Sequence, residues 1–267
     1  MQAMKPPLGS QIIQRDPGLV GCWLMNEGAG NVVHDLSGNG NDGAITGSAW
    51  AVSNRGTALN FDGSDYIELP AAADSSGQSE RTLSIWFARD SLVTTVALYS
   101  ECVGIYWRNT IYIRGGAGYS WDTRDTSTGD TGGRDNDLDV TAPNVIGTWY
   151  NLVCVYSVSA GTKTMYLDGV LLGSTATGVN PFTATASDFF RIGDDVGGGW
   201  SDYLGKVSQV AIYNRALTPS EIASLYRDPY QMFRRNKIEL WSAATQGGGV
   251  TPPATGYMTL NTGYWGT

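Results

Sequence analysis

The chain has 267 residues, enough for one large all-β domain with tails and a full buried core. Only 16% of residues are charged, while there are 35 glycines, nine tryptophans and fourteen tyrosines; this suits many short strands joined by tight turns and excludes long helices. A net charge of −8 lacks the basic footprint that nucleic acid or an anionic membrane demands, and leaves neutral glycans, cations or a basic protein patch as partners.

Residues 1–18, with prolines at 6, 7 and 17, read as an extended N-terminal arm. They hold neither the apolar stretch nor the cleavage pattern of a secretory signal, and no run of about 18 apolar residues follows anywhere. Synthesis in the cytoplasm without a signal peptide or membrane insertion is therefore expected. The apolar run Leu19–Met25 begins the folded body as a buried strand around Trp23, and Asn26–Asn31 is a turn. Val32–Leu36 is a short strand. Residues 37–43 form a tight loop, since Gly and Asn supply the positive φ values such loops need.

Strands are expected at Ala58–Asp62 and Tyr66–Leu69 around Gly63, then at Thr82–Ala88, Val93–Tyr99, Gly104–Arg108 and Ile111–Arg114, with a turn at Asn109-Thr110. Residues 115–139 read as a long polar insertion of Gly, Asp and Thr. Its Asp135–Asp139 run begins like an EF-hand loop, but lacks the Gly and Glu that such a loop requires. Thr148–Ser157 alternates most clearly: Trp149, Asn151, Val153 and Val155 share one face, and Tyr150, Leu152, Cys154 and Tyr156 the other. Lys163–Leu167 and Val170–Gly173 form a hairpin across Asp168-Gly169. Phe189–Ile192 and Lys206–Tyr213 complete the strands.

One helix is expected. Thr218-Pro219-Ser220-Glu221 offers an N-cap hydroxyl, a proline start and the Glu of a capping box. Ile222, Leu225 and Tyr226 then share a face, and the helix ends near Arg227. Cys22, Cys102 and Cys154 sit in apolar runs, and their odd number and irregular spacing predict buried, reduced thiols. The body is placed at residues 19–230, and residues 231–267 form a low-complexity extension ending in Tyr257, Tyr264 and Trp265.

Several motifs in order resemble the laminin-G-like, concanavalin A-like lectin/glucanase family. They are the opening strand Gly18–Gly28, the loop Asp35–Gly43 (D-x-S-G-N-x-N-x-G), Leu59–Gly63 (L-x-F-D-G), Thr82–Trp86 (T-x-S-x-W), Trp149–Val153, Tyr166–Gly169 and Ile212–Thr218. The resemblance implies a two-sheet antiparallel β-sandwich of jelly-roll type with one short C-terminal helix. The flanks, Lys5–Gly9, Leu225–Tyr230, Ile238–Trp241 and Asn261–Trp265, resemble phage-encoded members of the family. That part implies a virion structural or accessory protein, a capsid decoration or tail-associated component on the virion surface. Virion proteins and glycans would be its partners and a homo-oligomer its form. Tyr257, Tyr264, Trp265, Arg234 and Arg235 are the candidate assembly residues. The alternative is a stand-alone carbohydrate-binding module.

A glycoside hydrolase is the least favoured reading. Its chemistry needs paired carboxylates at a fixed separation, which related glucanases set as Glu-x-Asp-x-x-Glu on one strand. No two of the six glutamates have that spacing, and Glu221 belongs to the helix cap. The single histidine, His34, sits beside a turn, and no Cys/His set has zinc spacing. The chain is therefore read as non-catalytic.

Calcium is the expected inorganic partner, with Asp35, Asn39 and Asp42 in the Gly/Asn loop and Asp62 at a strand end as ligands. Local turn hydrogen bonding is the competing role for the same residues. The family often carries an acidic pair where this chain has Ser208-Gln209. Glycan binding needs exposed rings beside polar groups. Tyr119, Trp121, Trp200 and Tyr203, with Asp202, are the candidates.

Overall fold

The computed structural model describes residues 5–7, 10, 12, 16–92, 94–103, 106–116, 118–123, 137–176, 182, 187, 189–195 and 201–233. The chain divides into two units, Met1–Arg235 and Asn236–Thr267. Trp200, Arg234, Arg235, Tyr257, Tyr264 and Trp265 lie outside the described residues.

In chain order the strands are β1 (Leu19–Trp23), β2 (Val32–Val33), β3 (Gly43–Thr46), β4 (Ala49–Ser53), β5 (Gly56–Asp62), β6 (Tyr66–Glu68), β7 (Glu80–Arg89), β8 (Val96–Val103) and β9 (Tyr106–Ile113). There follow β10 (Tyr119–Thr123), β11 (Leu138–Val140), β12 (Trp149–Ser157), β13 (Thr162–Leu167), β14 (Val170–Thr175), β15 (Phe189–Ile192), β16 (Ser201–Asp202) and β17 (Leu204–Tyr213). The helix α1 (Pro219–Arg227) closes the body. One sheet runs β14-β13-β12-β7-β17-β5-β4, with β1 also on β17; the second runs β11-β10-β9-β8-β15-β6-β3-β2, with β16 on β8. All pairings are antiparallel except that of β16 with β8. The fold is the expected two-sheet β-sandwich.

Alternation along the strands puts the core between the sheets. On β12, Tyr150, Leu152, Cys154 and Tyr156 pack with Phe87 of β7 and with Tyr99, Ile111 and Trp121 of the second sheet. Val153 and Val155 point the other way, into an outer cluster with Cys22, Ala211, Ile222 and Leu225. The outer face of the first sheet is thus covered by α1. Thr218 caps that helix, accepting from the Glu221 N–H, and Glu221 completes the capping box. All three cysteines are free and buried, as their apolar settings predict.

Two expectations need correction. Asn109-Thr110 is not a turn but the middle of β9, where both side chains are buried. Asn109 is satisfied there because its Oδ1 accepts from Trp121 Nε1 at 2.7 Å. The polar insertion also contains two strands, β10 and β11, paired through Tyr119–Val140 and Trp121–Leu138. The short apolar set Tyr119, Trp121, Leu138 and Val140 suffices because all four sit on the core side.

β17 is the organising strand. One of its edges is shared end to end: Leu204–Val207 pair with β5, and Val210–Tyr213 pair with β1. Between these stretches the register shifts, leaving Ser208 as a bulge.

Candidate functional site

The aromatic residues predicted to meet a sugar are mostly core. Trp121 is 2% exposed and Tyr119 and Tyr203 are 0% exposed. Tyr119 Oη donates to Pro143 O at 3.0 Å, and Tyr203 Oη to Ala88 O at 2.7 Å. Tyr119 meets Phe87, Tyr203 meets Phe61 and Trp121 meets Tyr156, each edge to face within the core; buried rings present nothing to a ligand, so these three expectations are corrected. Asp202 is half-buried at a strand end, where its Oδ1 accepts from the Asp195 N–H at 3.1 Å. Burial, with Asp194 and Asp195 nearby, raises its pKa above the ordinary carboxylate range.

The predicted calcium ligands do not converge as a cage. Asp35 Oδ1 accepts from the N–H groups of Cys22 and Ser37, and its Oδ2 from Ser37 Oγ and the Asn41 N–H, all within 3.0 Å. Four donors occupy its lone pairs. Asn39 Nδ2 donates to the Leu19 and Val20 carbonyls. Asp42 accepts from the Asp35 N–H and faces His34 Nδ1. Asp62 caps its own turn by accepting from Ser64. These side chains do not fit calcium; they hold turns. Among the described residues no group of three or more His, Cys, Asp or Glu side chains could hold a metal ion.

A different constellation stands on the outer face of the second sheet. On β6 and β15 the residues Ile67, Phe190 and Ile192 enter the core, so Tyr66, Glu68, Phe189 and Arg191 must face away from it. Arg191 lies directly across from Glu68 in the β15–β6 ladder and from Ser100 in the β15–β8 ladder. Its Cζ sits 4.0 Å from the Tyr66 ring centroid and 4.9 Å from that of Phe189. Nε donates to Glu68 Oε2, and Nη1 to Asp194 Oδ2 at 2.5 Å. Phe189 is 37% exposed. This face therefore presents an aromatic edge beside a guanidinium whose orientation two carboxylates fix. Sequence reasoning passed over it, because Tyr66-Ile67-Glu68 and Phe189-Phe190-Arg191-Ile192 read as ordinary half-buried strands; the alternation was the only available signal.

A profile described as "Concanavalin A-like lectin/glucanases superfamily" (Laminin_G_3) matches residues 61–223. The chain belongs to this superfamily. No curated protein matches this superfamily member. Among solved structures it is similar to a Trypanosoma rangeli sialidase in complex with sialic acid, with TM-score 0.59 and 20% identity over 81% of this chain and 34% of that one. It is also similar to Domain 4 of AbnA, a GH43 extracellular arabinanase from Geobacillus stearothermophilus, in complex with arabinotriose; the TM-score is 0.56, the identity 22%, and the coverage 78% of this chain and 98% of that one. The binding domain of Paraclostridial mosquitocidal protein 1 aligns with TM-score 0.57 and 15% identity over 80% of this chain and 53% of that one. At these identities the likeness is one of fold. The chain spans about a third of the length of the sialidases it matches.

Proposed function

We propose that this chain is a non-catalytic carbohydrate-binding module whose ligand rests on the outer face of the second sheet. The observation that carries the reading is Arg191, set between Tyr66 and Phe189 and oriented by Glu68 and Asp194. Rings cover the apolar faces of sugars, while guanidinium and carboxylate groups bond their hydroxyls. The two carboxylates outnumber the one guanidinium, which favours a neutral sugar over an acidic one. The bound arabinotriose of AbnA Domain 4, a neutral oligosaccharide on a similar fold, supports the same class of ligand.

Titration calorimetry against a panel of neutral and acidic oligosaccharides, arabinotriose included, tests this. Phe189→Ala and Arg191→Ala should each weaken binding by roughly tenfold, equivalent to about 1.4 kcal/mol, with Phe189→Ala folded as the parent. A blank across the panel sinks the reading. Asp137, whose pKa burial and the neighbouring Asp122 raise to about 7, is the feature most like a general acid. Release of reducing ends from any of these glycans, lost in Asp137→Asn, would replace a binding role with a hydrolytic one.

A place on a virion, with residues 231–267 as anchor, is the second reading, and the resemblance of the flanks to phage-encoded proteins supports it. Its test is the occupancy of particles by a chain ending at Ser242.

A further inference from the structure

Among the described residues no carboxylate lies at salt-bridge distance from the arm residue Lys5; its ammonium instead points at backbone oxygens. Nζ donates to Leu24 O at 2.5 Å, Ser208 O at 2.8 Å, Met25 O at 3.4 Å and also to Thr57 O. These oxygens come from three separate places in the first sheet. Leu24 and Met25 follow the end of β1, Thr57 lies near the start of β5, and Ser208 is the bulge of β17. The convergence arises where β5 and β1 share one edge of β17: the β5 ladder ends at Val207 and the β1 ladder at Val210, so neither pairs with Ser208.

The backbone is bent to make it. Met25 has φ of 46°, a left-handed conformation that is uncommon for a residue other than glycine. That bend lets two successive carbonyls, those of Leu24 and Met25, address one cation. Gly56, at φ of 88°, takes the left-handed turn that brings Thr57 to the site, and its Cα side lies in ordinary contact range of the Lys5 side chain. The neighbouring arm is also held, since Asn26 Nδ2 donates to Pro6 O at 3.1 Å.

We infer that the sandwich carries a cation site made of four backbone carbonyls, that Lys5 fills it as a tethered ammonium, and that without the lysine it takes a monovalent alkali ion. Two charged groups face Lys5 from the surrounding elements. Glu27, in the loop after β1, is attractive, and its buried Oε2 has no hydrogen-bond partner. Arg55, in the β4–β5 turn, is repulsive, and its Nε donates to Ser208 Oγ at 3.3 Å. One negative and one positive neighbour leave a neutral cage of carbonyl dipoles, the environment that suits potassium. Calcium prefers several charged oxygens at about 2.3–2.6 Å, and is poorly matched here. Burial, with Arg55 second, lowers the Lys5 pKa to about 7, and Glu27 opposes that shift.

The test is thermal unfolding of the full chain carrying Lys5→Met, in potassium, sodium, calcium or tetramethylammonium chloride at matched ionic strength. The variant should melt several degrees below the parent in tetramethylammonium and recover with saturable dependence on potassium. The parent should not distinguish the salts. Glu27→Gln in the Lys5→Met background should remove the recovery. If Lys5→Met does not fold without alkali ions, its refolding on adding potassium is the same result. Equal melting of Lys5→Met in potassium and tetramethylammonium, failure to fold in either, or a response to calcium alone would overturn the assignment.

Discussion

Arg55 lies on Trp86, its guanidinium carbon 3.4 Å from the indole centroid, and Tyr226 of α1 stacks on the same indole at 5.7 Å and 12°. The stack joins the β4–β5 turn, the central strand β7 and the helix. Trp86 is thus the anchor for everything that covers this end of the first sheet, although it stands outside the core between the sheets. Trp86→Ala should lower unfolding stability by about 3–5 kcal/mol, the usual cost of truncating a buried tryptophan. A urea melt checks this. A loss below about 1 kcal/mol would mean that α1 docks without the stack.

Glu101 is fully buried in the second sheet and collects five donors. Ser75 supplies its N–H at 2.8 Å and its Oγ at 2.5 Å, Arg81 Nη2 lies at 3.1 Å, Asn109 Nδ2 at 3.3 Å, and Tyr99 Oη also donates. Arg81 is equally buried, so the ion pair bridges the two sheets in a dry interior. Removing one charge strands the other. Glu101→Gln should therefore cost about 3–5 kcal/mol, while Arg81→Met with Glu101→Leu should recover a large part of that loss. Chemical denaturation of the single and double variants separates the pair's net worth from the penalty of breaking it.

The legible parts of this protein are those where local chemistry and burial agree. The Asp168-Gly169 turn has φ of 52° and 77° at its two residues, as that hairpin requires, and the β12 faces divide as their alternation predicts. Thr218 and Glu221 form their box because both partners lie within four residues of each other. The misread residues depend on distant partners. Trp121 looks like a loop residue among Gly, Asp and Thr, and becomes core only through β9 and β11. Arg191 acquires a role from Tyr66 and Glu68, more than a hundred positions earlier in the chain. Lys5 reads as part of an extended arm, and only the bulge at Ser208 gives its ammonium a destination.

The acid limb of stability should run through Arg215. Its guanidinium donates to Glu221 Oε1 at 2.7 Å and to both oxygens of Asp16, joining the start of α1 to the arm before β1. The hydrogen bond from Arg215 is the largest cause that lowers the Glu221 pKa, from 4.5 to about 2, and it also leads the lowering at Asp16. A carboxylate with a depressed folded-state pKa stabilises the fold above its unfolded value and ceases to do so as the pH falls through its folded value. The contribution of Glu221 should thus be complete above about pH 4.5 and fade between there and about pH 2. Glu221 is partly exposed, so solvent screening keeps the effect modest. Glu221→Gln should be less stable than the parent at pH 7, and the two melting temperatures should converge as the pH approaches 2. No gap at pH 7 would assign the role of Glu221 to helix capping alone, because a glutamine at this position loses the charge while keeping an oxygen for the Thr218 N–H.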